Sequence, residues 1–434
     1  MKLTISPDKR HFYMDGKPFF WLGDTAWLLF QKLSYDEAIA YLDNRAAKGF
    51  NVIQVTLVHT AHFGNVNGSP ALIDEDFAQP NPDTAPGAFW PQVRRIVDAA
   101  AERGIMMALL PSWGGIVASG WLSGEKIDRY TDFLAERFGD CTNVLWLVGG
   151  DVRGNAAPED FIRMGTNLRK KCPGHLIGYH PFGRCSSSYW FNDQPWLDFN
   201  MFQSGHRRYD QVKLGEWDDR VDAETYVGED SYKYVQHDRA LTPVRPVLDG
   251  EPSYELIPQG LHDTTQPYWQ ACDVRRYAYW SLMAGACGFT YGSNSIMQFW
   301  TGEGKPSFGP LEKWHEAIHN PGSMQMTHVR RLMEELKWYD GQPAQEYLAD
   351  NTGEKYDYNL ALKTSAGLAV YTYTGKPFKV NTAMLGENLR AWWFDPTSGG
   401  KSIIGPVASG EAVEFLPPDR RCGQNDWALV IQSV

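Results

Sequence analysis

Short apolar runs alternate with amphipathic stretches from about residue 19 to about residue 337. NVIQVTLVH (51–59) is almost continuously apolar, as a parallel strand buried on both faces must be. FFWLGDTAW (19–27), IMMALLPSW (105–113), NVLWLVGGD (143–151), LIGYHPFG (176–183), FNMFQSGH (199–206), RPVLDGEP (245–252) and GFTYGSN (288–294) also read as strands. Between them lie helical patterns at 35–49, 89–104, 123–138, 158–172 and 271–286. The first helix has clear limits: Ser34 is placed to cap it, Glu37 stands at capping-box spacing, and Gly49 stops it.

Eight β/α units in about 320 residues predict an α/β fold, a (β/α)8 TIM barrel with long insertions. A doubly wound open sheet competes, but no Gly-rich phosphate loop follows the first strand. Residues 3–18 read as a hairpin turning at Asp15-Gly16, a plug for the N-terminal face of the barrel. The loop 60–88 leaves the C-terminal end of strand two, where barrel active sites form. After about residue 340 the helical period disappears. Short alternating strands with Gly, Pro and Asp-Pro turns predict a small all-β sandwich, with Trp392-Trp393 as its anchor on the barrel. The expected division is therefore a barrel at 1–340 and a sandwich at 341–434.

Composition narrows the partners. Hydrophobic residues are 43% of the 434, enough for a sizeable core, yet no run approaches the roughly 20 apolar residues of a membrane helix. The opening MKLTISPDKRHF lacks the apolar region of a signal peptide, which favours a cytoplasmic location. The six cysteines are scattered without a CxxC pair and read as reduced, buried thiols. A net charge of -11 disfavours nucleic acid and anionic membranes as partners. Seventeen tryptophans suit stacking against the apolar faces of sugar rings.

Glycosidic cleavage needs an acid for the leaving oxygen and a second carboxylate as nucleophile or base. In a barrel both belong at the C-terminal ends of strands. Asp151 closes LWLVGGD, where Gly149 and Gly150 leave room for a ligand, and Glu251 stands at the end of strand seven in VLDGEPSYE. Asp249 is a rival one strand period earlier, on the same face as Glu251, and Glu255 lies just beyond. Asp24, at the end of strand one, is a candidate for binding sugar hydroxyls. Trp27, Trp113 and Trp121 are candidate stacking platforms, and His59, His62, His180 and His206 candidate hydrogen-bond donors. Tyr291 and His206 are candidate neighbours holding Glu251 ionised. A metal hydrolase using His59, His180 and His206 is a further reading. However, the HxxH at 59–62 is not helical and lacks the one-face geometry of a zinc motif, so no cofactor or metal is expected.

FFWLGDTAW, WLVGGD and VLDGEPSYE, in this order at strand ends, resemble the apiosidase-like glycoside hydrolases, family 140. The resemblance spans about residues 5–340, and the tail resembles the β-sandwich commonly attached to that barrel and labelled a collagen-binding domain. It implies a carbohydrate substrate: release of terminal β-D-apiofuranose from plant glycans such as the pectin rhamnogalacturonan II, or from small apiosides. It also implies a retaining mechanism with Asp151 as acid/base and Glu251 as nucleophile. The wider barrel-glycosidase clan carries Asn-Glu at the end of strand four, where this chain has Gly150-Asp151. Another furanosidase, such as an arabinofuranosidase, and a catalytically inactive carbohydrate-binding barrel are the alternatives.

Overall fold

The computed structural model describes residues 1–211, 226–350, 353–419 and 425–433. It opens on an antiparallel three-stranded sheet, β1 (Leu3–Ile5), β2 (Phe12–Met14) and β3 (Lys17–Phe19). Asp15 and Gly16 both take positive φ in the turn between β2 and β3. Phe12 leaves this sheet and packs on Trp21 and Phe199, with ring centroids 5.6 and 5.3 Å away. Those two side chains belong to the core that fills the barrel lumen, so the expected plug is present.

The barrel strands are β4 (Trp21–Thr25), β5 (Val52–Val58), β6 (Met106–Ser112), β7 (Val144–Gly149), β8 (Ile177–His180), β10 (Asn200–Gln203), β11 (Val247–Asp249) and β12 (Gly288–Tyr291). The sheet order is β8-β7-β6-β5-β4-β12-β11-β10, with the short β9 (Cys185–Ser186) added antiparallel to β10. The barrel closes where the Asp198 N–H donates to the Ile177 carbonyl at 2.8 Å. The outer layer contains α1 (Tyr35–Ala47), α2 (Phe89–Glu102), α3 (Glu125–Phe138), α4 (Pro158–Lys171), α6 (Ser231–Arg239), α7 (Ala271–Met283) and α8 (Pro321–Glu335). In the fifth unit the helix shrinks to one turn, α5 (Ser188–Phe191). Helix α1 starts on the expected box: Ser34 accepts from the Glu37 N–H, and the Glu37 carboxylate accepts from the Ser34 N–H.

Alternation along the strands decides which side chains can reach the site. Trp21, Leu145, Leu147, Met201 and Leu248 fill the lumen. Their neighbours Leu22, Trp146, Phe202 and Val247 face the helical layer.

The C-terminal region is a six-stranded antiparallel sheet in the order β13-β14-β15-β20-β17-β18, faced by the pair β16–β19. These strands are β13 (Gln342–Pro343), β14 (Leu360–Thr364), β15 (Gly367–Thr372), β16 (Phe378–Val380), β17 (Leu389–Phe394), β18 (Lys401–Val407), β19 (Val413–Phe415) and β20 (Trp427–Ser433). One face of the large sheet joins a core shared with α7 and α8 through Leu360, Leu362, Tyr371, Phe394 and Val430. Trp393 is not the expected anchor on the barrel, because it faces the sandwich's own core, and only Trp392 packs partly on the shared one. Polar anchors reinforce the contact. Arg275 of α7 makes two 2.8 Å bonds to the Asp426 carboxylate, and Tyr279 stacks on Tyr371 at 4.6 Å. The five described cysteines are free and buried, while Cys422 lies outside the described residues.

Candidate active site

A cavity of about 280 Å³ opens at the C-terminal end of the barrel strands, the size of a small-ligand pocket rather than a long groove. Asp151, Glu251, Trp27 and His206 line it, together with Gln203 and Tyr254.

Asp151 reaches the cavity through an unusual turn. Gly149, Gly150 and Asp151 take φ of 89°, 119° and 51° in succession, which swings the chain off β7. A Cβ at Gly150 would stand 2.9 Å from the Gly114 nitrogen and 3.2 Å from the Trp113 ring. Gly150, expected to leave room for a ligand, lies outside the cavity lining. It is wedged between backbone segments, donating to the His180 carbonyl and accepting from Gly114. The left-handed Asp151 is a strained non-glycine position, of the kind that recurs at functional sites.

Glu251 follows β11. The chain turns at Gly250, and Asp249 does not share the cavity with Glu251. Its carboxylate accepts from the Ser204 hydroxyl at 2.6 Å and from the Glu251 N–H at 3.3 Å, beneath the site. Two histidines converge on Glu251 instead. His206 Nε2 lies 3.1 Å from Oε1, and His180 Nε2 lies 3.2 Å from Oε2. The first contact is a hydrogen bond. The second is at contact distance but poorly aligned, and Oε2 keeps free capacity. Each Nδ1 accepts a backbone N–H, from Tyr254 at 3.4 Å and from Asp151 at 3.3 Å. That leaves the ring proton on Nε2 in both histidines, facing the carboxylate. In this arrangement neither ring keeps a lone pair for a metal ion.

The two carboxyls are driven apart electrostatically. Burial pushes Asp151 well above the ordinary carboxylate range, and the charge of Glu251 pushes it further. Burial would raise Glu251 as well, but the two histidines outweigh it and hold Glu251 below its ordinary value. One acid raised beside one lowered is the division that acid-assisted displacement needs. Burial and the Glu251 charge keep the Tyr254 phenol protonated, and it accepts the Trp27 indole N–H at 3.2 Å.

Other residues singled out in the sequence do different work. Asp24 lies on the outward face of β4, fully buried, accepting from Arg45 at 2.5 Å and Tyr41 at 2.6 Å. Tyr291, its neighbour across the β4–β12 ladder, donates to Glu255 at 2.6 Å and does not touch Glu251. Glu255 also accepts the Gly322 N–H at the start of α8. Asp24, Tyr291 and Glu255 thus tie strands to helices rather than contact the cavity. Trp113 and His59 pack on each other at 4.8 Å outside the cavity lining, and burial lowers His59 to about 4, leaving it neutral. Trp113 supports the site indirectly, edge-on to Trp27 at 5.3 Å. Trp121 is 48% exposed, and His62 is exposed beside Phe63. Gln203 and Tyr254 were not among the candidates, although Gln203 ends a strand just as His206 follows one. Phe182, Leu261 and Phe308 supply an apolar rim, and Arg184 and Arg207 also line the cavity.

The family model described as "Apiosidase-like, catalytic domain" matches residues 6–340. This chain belongs to the apiosidase-like family. A second model, "Putative collagen-binding domain of a collagenase", matches residues 342–432. The apiosidase-like chain is also similar to a solved glycoside hydrolase at 36% identity and TM-score 0.93, covering 100% of this chain and 97% of that one. A glycoside hydrolase family 5 protein from Bacteroides vulgatus ATCC 8482 gives the same identity and TM-score, with 100% and 94% covered. An endo-1,4-beta-mannanase from Rhizomucor miehei shares the fold alone, at 12% identity and TM-score 0.50 over 75% of this chain and 99% of that one. No curated protein matches.

Proposed function

We propose that this apiosidase-like protein is a retaining, exo-acting glycosidase that releases a terminal furanose, β-D-apiofuranose first among candidates, from plant glycans or small apiosides. The observation that carries the reading is the pair Asp151 and Glu251: two carboxyls lining one cavity, one raised by burial and the other lowered by two histidines.

In this reading Glu251 attacks the anomeric carbon while Asp151 passes its proton to the leaving oxygen as the glycosidic bond breaks. Asp151, now ionised, takes a proton from water, and that water displaces Glu251 from the sugar. His180 and His206 keep Glu251 charged and oriented before attack. Family membership favours apiose, and the small cavity fits removal of a single terminal sugar.

A screen of nitrophenyl furanosides and pyranosides, β-apiofuranoside included, tests the proposal. Turnover of the apiofuranoside with retained configuration at the anomeric carbon is expected. Turnover confined to another furanoside, such as arabinofuranoside, would reassign the sugar. Absence of turnover on every glycoside, with binding intact, would make this a carbohydrate-binding barrel.

A further inference from the structure

One polar group in the cavity has no part in the two-carboxylate scheme. Gln203 ends β10, where alternation from Met201 turns its side chain into the barrel lumen. It is 3% exposed, yet it lines the cavity that holds Asp151 and Glu251. Its backbone is fixed, because its carbonyl accepts the Arg184 N–H at 2.7 Å beside the β9–β10 pairing. The side chain is not saturated: Oε1 is buried without a hydrogen-bond partner. A buried acceptor left unpaired is costly, and in a cavity a bound ligand can supply the missing donor. The same side chain lines the cavity beside Asp151, whose ionised form it favours.

We infer that Gln203 is a positioning and specificity residue for glycoside cleavage: its amide N–H holds one oxygen of Asp151, so that the acidic proton stands on the other, and its Oε1 accepts a hydroxyl of the sugar bound beside Glu251. This rests on the glycosidase reading above. Gln203 transfers no proton itself. The proton passes from Asp151 to the leaving oxygen as that oxygen takes the electron pair of the broken bond. A glutamine does both jobs because one amide carries a donor and an acceptor and adds no charge. A carboxylate in its place would offer acceptors only.

The test uses the full chain, with nitrophenyl and methyl furanosides of the same sugar. Gln203→Met keeps the bulk and removes both polar ends. It should raise KM about 10-fold on both substrates, through the lost hydroxyl contact. It should lower kcat more on the methyl glycoside, which depends on protonation of its leaving oxygen. The basic limb of kcat/KM should move to higher pH, because Asp151 loses a donor that favours its ionised form. Gln203→Glu restores an acceptor but adds a second acid that competes with Asp151 for the proton, so KM should recover towards wild type while kcat on the methyl glycoside stays low. If Gln203→Met does not fold, judged by its circular dichroism, Gln203→Glu alone decides through the same split between kcat and KM. Equal losses on both substrates with an unmoved basic limb would reduce Gln203 to packing and overturn the inference, while wild-type turnover leaves the glycosidase reading standing. Failure of the wild-type enzyme on every glycoside would remove both.

Discussion

The Nδ1 of His180 accepts the backbone N–H of Asp151 at 3.3 Å. The other nitrogen of the ring faces Glu251 at 3.2 Å, so one imidazole spans the two carboxyl residues. The strained turn that delivers Asp151 thereby also sets the tautomer of a histidine directed at Glu251. His206 repeats the arrangement from the opposite side, with the Tyr254 N–H in place of that of Asp151.

Removing either histidine should raise the pKa of Glu251, since burial then acts with less opposition. A carboxylate whose pKa rises is protonated at higher pH, so the acid limb of kcat/KM should move upward. His206→Ala should also cost roughly 10- to 100-fold in kcat/KM, the range of one hydrogen bond to a charged group. A pH–rate series on the two single variants checks this. An unchanged acid limb would mean that Glu251 is held ionised by something else.

Asp151→Asn and Glu251→Gln should fail differently. Loss of the acid should be mildest on nitrophenyl glycosides, whose leaving groups need little protonation. Loss of the nucleophile should abolish turnover of every substrate, and azide should restore Glu251→Ala by attacking in its place. The basic limb of the wild-type profile should lie above the ordinary carboxylate range, because Asp151 is the raised group and activity is lost as it ionises. Parallel behaviour of Asp151→Asn and Glu251→Gln across leaving groups would invalidate the assigned roles.

All eight barrel strands were legible because each is a short apolar run, and the Asp15-Gly16 and Ser34–Glu37 signals read as they fold. The inward face was not legible, for the same reason. Strands buried on both sides carry no polar alternation to mark the lumen. Asp24 and Tyr291 therefore looked like rim residues, yet both face the helical layer. Gln203 and Tyr254 line the cavity, although nothing in the pattern around them marks them as inward-facing. Gly150 was read as space for a ligand, while its φ of 119° and its neighbours make it space for backbone.

Gly150→Ala should consequently damage the site without touching substrate. The new methyl meets backbone and the Trp113 ring at about 3 Å, on a residue whose φ suits glycine. A left-handed strain of this kind costs on the order of 1–3 kcal/mol before any clash. The melting temperature should fall, and kcat should fall with it as Asp151 and Trp113 shift. Full activity with an unchanged melting temperature would mean that the turn relaxes freely.

The sandwich should prove part of the barrel's stability rather than a detachable module. Arg275 and Asp426 are each 1% exposed and joined by two hydrogen bonds across the contact. Arg276 adds a second buried link: it binds Glu229 at 2.7 Å, and Tyr356 of the sandwich donates to the same carboxylate at 2.9 Å. Removing one partner of such a pair leaves the other charge buried alone, at about 3–5 kcal/mol. Asp426→Ala should therefore lower the melting temperature sharply, whereas the double change Arg275→Met with Asp426→Leu should recover much of the loss by replacing charge with packing. Truncation near residue 340 should be worse than either, because it also uncovers the apolar face that α7 and α8 share with Tyr371, Phe394 and Val430. Differential scanning calorimetry on the three proteins distinguishes the cases. A truncated barrel as stable as the full chain, but deficient in polymer binding, would recast the sandwich as a targeting domain.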